Sequence, residues 1–125
     1  MNKQSVVDQL KWSIQTLSSE ADDQLASFPD FVVVTDELLL EFDNWYRVAI
    51  GNYPDIFSDE QLKILKDIDL FIDNLPQEDL SISIADELKT HPFWKELRIL
   101  AREALQKFGW DSDPPPHDRS TYVRG

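Results

Sequence analysis

The chain has 125 residues, 42% of them hydrophobic, and sets 24 Asp and Glu against 12 Lys and Arg for a net charge of −12. That length suits one domain, and four Trp, seven Phe and three Tyr supply apolar area for a core without staples. The lack of cysteine excludes disulfides, thiolate zinc sites and cysteine nucleophiles, and it fits a reducing compartment.

No stretch approaches the roughly 20 apolar residues that cross a bilayer, and residues 1–8 show no apolar signal core. The expectation is a soluble, cytoplasmic protein. Its charge is unevenly spread. Residues 20–87 hold 18 carboxylates against Arg47, Lys63 and Lys66, a net of −15. Residues 89–110 hold five bases against Glu96 and Glu103, a net of +3. The acidic stretch repels nucleic acid and anionic membrane and attracts cationic partners. An excess of acid also serves plain solubility, which is the competing reading.

The first helix is expected over about residues 5–17, where Val7, Leu10, Ile14 and Leu17 follow a 3,4,3 spacing. Ser18-Ser19-Glu20 breaks it and caps a short second helix carrying Ala21, Leu25 and Phe28, which Pro29 ends. Phe31-Val32-Val33-Val34 is β-like but has no second run to pair with, so it reads as a buried extended segment or a first helical turn. Thr35 or Asp36 is expected to cap the third helix, through Leu39, Phe42, Tyr46, Ala49 and Ile50, with Gly51 as its left-handed end.

Ser58-Asp59-Glu60-Gln61 is a capping box ahead of the apolar stripe Leu62, Leu65, Ile68, Phe71, Ile72 and Leu75, and Pro76 stops that helix. Ser81 or Ser83 opens a short helix to Leu88, and Thr90-His91-Pro92 opens the last one, which Gly109 ends. Asp111-Ser112-Asp113-Pro114-Pro115-Pro116 suits neither helix nor sheet. The expected fold is all-α: a compact antiparallel bundle of four main helices plus one or two short ones over residues 1–110, with an extended or disordered tail at 111–125.

The chemical inventory is thin. His91 sits at a helix start and His117 in the tail, and no Gly-x-Ser-x-Gly elbow is present. Glu87 and His91 are four apart, but Pro92 breaks the helix they would share, and no second Glu-x-x-His exists. Asp67-Ile68-Asp69 and Asp111-Ser112-Asp113 lack the Gly and the Glu of a calcium loop, and three glycines make no phosphate cradle. No catalytic residue, metal or cofactor is expected. An enzyme would need a pocket with two carboxylates of raised pKa.

What remains is surface recognition. Asp36, Glu37, Glu41, Asp43 and Asp55 gather around the third helix with Trp45 and Tyr46, and Asp59, Glu60, Asp67, Asp69 and Asp73 line the fourth. Acids interleaved with aromatic rings can dock on a basic protein, the rings filling pockets and the charge speeding association. The expected binding set is Asp36, Glu37, Glu41, Asp43, Trp45, Tyr46, Asp55, Asp59, Glu60 and Asp67. Because Trp45 lies three after Phe42, at least one of these rings should face inward.

Phe42-Asp43-Asn44-Trp45-Tyr46 in an acidic helix, and the ending Phe93-Trp94-Lys95-Glu96-Leu97-Arg98 to Gly109-Trp110, resemble the small acidic immunity proteins that bacteria make alongside secreted toxins. The resemblance spans about residues 5–110 in size, charge and helix count, and carries over no functional residue. It implies an inhibitor that presents acid to the basic cleft of a toxin nuclease. The alternative is a structural or assembly module acting by helix-mediated self-association. The oligomeric state stays open.

Overall fold

Polar side chains cap four of the six described helices, because the first amides of a helix have no partner within it. The computed structural model describes residues 2–29, 32–75 and 82–111. The described residues form α1 (Lys3–Ser18), α2 (Ala21–Ala26), α3 (Val34–Asn52), a 3-10 turn (Pro54–Ile56), α4 (Asp59–Asp73), α5 (Ile84–Thr90) and α6 (Pro92–Phe108), with no strand among them.

Asn2 caps α1 by accepting from the Ser5 amide at 2.8 Å. The capping box of α4 is complete: the Gln61 amide donates to Ser58 Oγ at 3.1 Å, and the Ser58 amide donates to Gln61 Oε1 at 2.9 Å. Ser83, of the two serines proposed, caps α5 through the Asp86 amide. His91 Nδ1 accepts from the Phe93 amide at 3.1 Å, which makes this histidine the cap of α6, with Pro92 at the first helical position. Gly109 ends α6 at φ 67°, the left-handed conformation expected there, while the Trp110 amide returns to the Leu105 carbonyl at 2.9 Å.

Two boundaries differ from expectation. Neither Thr35 nor Asp36 caps α3; Val33 does, without a side-chain bond, and the helix starts at Val34. The earlier start puts Val34 and Leu38, four apart, together in the core. It also places Asp36 and Glu37 in the first turn, where the helix dipole favours acids. Gly51 is helical and not a left-handed stop: α3 continues to Asn52, and the Tyr53 amide still reaches the Ala49 carbonyl at 2.8 Å. Tyr53 and Ile50 both pack on the core, which offsets the roughly 1 kcal/mol that a helical glycine costs against alanine. Of the β-like run, Val32 packs on the core and Val34 opens α3, whereas Phe31 lies outside the described residues. So do Pro76, Ser81 and His117, and the tail beyond Asp111.

The core is a single cluster in which α1 is the central element. Val6, Leu10, Ile14 and Leu17 are all but fully buried; Val6 takes the place expected of Val7, which is half-buried. One side of α1 packs along α3 and the other along α6, and α6 packs in turn along α4. Three sides of a four-helix ring are thus tightly closed, while the fourth, between α3 and α4, is met at only a few points. The short helices α2 and α5 pack on each other, and α5 also packs on α6 and α3. Aromatic pairs reinforce the closed sides: Phe71 of α4 stacks on Phe93 of α6 with centroids 5.0 Å apart, and Phe57 meets Phe108 edge-on at 5.9 Å.

Candidate functional site

The acidic stretch folds into α3, the 3-10 turn and α4, so residues 34–73 bring ten carboxylates together against Arg47, Lys63 and Lys66. Helical spacing divides the α3 residues into two flanks. Positions 39, 43, 46 and 50 run along the flank towards α4, and positions 37, 41, 44 and 48 run along the opposite one. Asp43 and Tyr46 share the first flank with Leu39 and Ile50. Glu37 and Glu41 lie on the second.

The ten expected residues therefore do not form one site. Asp43 accepts from Arg47 Nε at 2.8 Å, an exposed pair of the i, i+4 kind. Tyr46 is half-buried and stacks on Phe42 with centroids 5.5 Å apart and planes 9° apart. Phe42 itself is fully buried, and Trp45 and Tyr46 both pack against the core while remaining partly exposed. Trp45 is half-buried and donates from Nε1 to Glu41 Oε2 at 3.0 Å, which ties both to their own flank.

Glu37, at 3% exposure, lies in the interior of the chain, unlike the exposed acids expected beside it. Its position follows from Val34 and Leu38 entering the core beside it. Asp36, Asp55, Asp59 and Glu60 are exposed, and Glu60 lies 3.9 Å from Lys107 Nζ. Asp67 pairs with Lys63 at 3.1 Å on the outer face of α4. Isolated surface pairs of this sort contribute little to stability and leave their acids available to a partner.

Two carboxylates outside the expected ten complete the α3–α4 side. Burial pushes the Asp69 carboxyl above the usual carboxylate range; Asp73 and Asp43 add to the rise and Arg47 opposes it. Burial likewise raises the Tyr46 phenol, with Asp69 adding and Arg47 opposing. Asp43, Tyr46, Asp69 and Asp73 thus sense one another across the seam. Spacing held the signal for this: Asp69 and Asp73 stand seven and eleven after Leu62, on the same α4 stripe.

The other charged clusters join helices to one another. Arg98 is buried, its Nε donating to the Ser19 carbonyl at 2.7 Å and its Nη2 to Gln24 Oε1 at 3.0 Å and the Leu88 carbonyl at 2.9 Å. Burial lowers its pKa, while Glu20 pulls it back up. Arg102 spans an open recess of about 410 Å³ between α6 and the α1–α2 turn, donating to the Ser18 carbonyl and to Glu20. Glu87 accepts from the indole of Trp94 at 2.7 Å, so the Glu87–His91 spacing serves a helix junction.

Among the described residues, no three His, Cys, Asp or Glu are grouped as metal ligands would be, and no helix is long and apolar enough to cross a membrane. Compared with known protein families, curated proteins and solved structures, the chain matches none.

Proposed function

We propose that the chain is a non-catalytic, cytoplasmic binding protein that caps a basic protein surface, most concretely as an immunity-type inhibitor of a toxin nuclease. One observation carries this reading: residues 34–73 concentrate ten carboxylates against three bases and present the half-buried rings of Trp45 and Tyr46 among them. Such a surface speeds encounter with a cationic partner and offers rings as anchors once contact is made. His91 is engaged as a helix cap. The short connection between α3 and α4, residues 53–58, suits antiparallel neighbours, a support for such a face.

Self-association is the second reading, favoured by exposed Leu40, Leu70 and Ile99. It is the weaker one, because two copies at −12 each repel. Trp94, a candidate ring for a dimer contact, is buried within its own chain.

The test is retention of lysate proteins on the immobilised chain at low salt, followed by stepwise elution. Salt raised from about 0.1 to about 1 M shrinks the Debye length from about 10 to about 3 Å and should release one basic protein. If that protein is a nuclease, adding the chain in stoichiometric amount abolishes its activity. Retention of only acidic proteins, or elution indifferent to salt, would sink the proposal.

A further inference from the structure

Resting on that basic-partner reading, we propose that the open side of the helix ring, between α3 and α4, is a groove for an amphipathic helix of the partner carrying lysines or arginines. Three observations converge there. First, among the described residues, α3 and α4 flank a side of the ring where the two helices meet at only a few points. Secondly, Leu39, Tyr46 and Ile50 of α3 and Leu62 of α4 pack on the core yet remain half-exposed, and Leu70 is exposed at the rim. Residues so placed offer apolar area that a further helix could remove from water, the mode by which amphipathic helices bind grooves.

Thirdly, the charge over this apolar floor is net negative, three carboxylates against two bases. Burial first, then Asp73 and Asp43, disfavour ionisation of Asp69, and Arg47 is the cation that opposes them. Lys66 is the other base on this flank of α4 by helical spacing. A cationic side chain entering among the three carboxylates relieves their repulsion, whereas an anionic one adds to it. The complement is therefore a helix with leucine-like residues at 3,4 spacing and lysine or arginine beside them. Its contact length is set by α4, whose 15 residues span roughly 22 Å.

The experiment is a titration of the full-length, isotope-labelled chain, followed by backbone amide NMR, with two synthetic peptides of one Leu/Lys composition. One repeats leucine at 3,4 spacing, and the other is scrambled so that no apolar face exists. The expected result is that the amphipathic peptide binds about tenfold tighter or more, the scale of one anchoring contact, and shifts amides in 39–53 and 62–73. Tyr46→Ala should lower its affinity about tenfold. The combined Asp43→Asn, Asp69→Asn and Asp73→Asn variant, which keeps the packing, should do the same and flatten the salt dependence.

Equal affinity for both peptides, or shifts confined to other acidic faces, overturns the groove and leaves the basic-partner reading standing. Binding of neither peptide overturns the groove, and failure of the lysate experiment as well removes the broader reading. Contacts in the free chain between residues 112–125 and the Tyr46 ring would make the chain's own tail the occupant. Concentration-dependent shifts at these same amides would make it a second copy. Either finding overturns the proposal.

Discussion

Where α2 and α5 meet α6, a buried guanidinium does the joining, whereas α3 and α4 face each other over carboxylates and a half-buried tyrosine. On the first side Arg98 donates to oxygens from the α1–α2 turn, α2 and the end of α5, and Gln24 turns its own amide back to the Thr16 and Leu17 carbonyls. The Arg98 Nε and Nη2 and the Gln24 amide all meet buried acceptors, so the parts of that junction depend on one another. On the second side the polar pair, Arg47 with Asp43, is exposed and local, and burial works against the charge of Asp69. The contrast is between a side held by buried hydrogen bonds from distant parts of the chain and a side of an exposed local pair and a partly buried carboxylate.

The sharpest way to break this comparison is Arg98→Met, which keeps the length and apolar stem of the side chain and removes its donors. The Ser19 and Leu88 carbonyls and the Gln24 side chain would then lack their partner in a buried place. Each buried group left unsatisfied costs about 1–3 kcal/mol, so a loss of about 3 kcal/mol or more in urea unfolding is expected. A loss below about 1 kcal/mol would mean that water replaces the guanidinium, and the two sides would no longer differ in kind.

An intermediate effect is expected at the entrance to α4. Ser58→Ala removes one half of the capping box and should cost about 1 kcal/mol, read from the unfolding midpoint. Because α4 is joined firmly to α6 and only loosely to α3, hydrogen exchange should quicken in the first turns of α4 while α1 stays protected. Equal loosening of α1 and α4 would show that the loose side is coupled to the core as tightly as the others.

Local order along the chain accounts for what was legible in the sequence. The capping box at Ser58, the left-handed Gly109 and the stripes Leu10, Ile14, Leu17 and Leu65, Ile68, Ile72 all depend on residues within one or two turns of each other. Gly51 misled because its signal is local while the packing of Ile50 and Tyr53, which carries α3 past it, is not. The Arg98 junction had no sequence signature, since its partners Ser19 and Gln24 lie 79 and 74 residues away. The acidic face was legible as composition. Its division into two flanks of α3, and the burial of Glu37, required knowing which side of the helix meets α1.

The finest test of the contrast is Asp69→Asn, where the two sides should respond with opposite sign. The folded state raises the Asp69 pKa above its ordinary value, chiefly by burial and then through Asp73 and Asp43. Its ionised form is therefore disfavoured by folding, so at neutral pH the wild-type residue lowers stability. As pH falls through the raised folded pKa the carboxyl takes up its proton and the penalty shrinks, to vanish below the ordinary carboxylate pKa, where both states are protonated. The amide has no such penalty at any pH. Asp69→Asn should thus stabilise the chain at pH 7, by no more than about 0.5 kcal/mol because solvent screens a half-exposed group. That gain should vanish in acid, where wild type and variant become electrostatically alike. A variant that weakens the basic-peptide complex while raising the stability of the free chain would place Asp69 among residues held for binding at a cost to the fold. Loss of stability at pH 7 would instead mean that its charge is used within the chain, as on the Arg98 side.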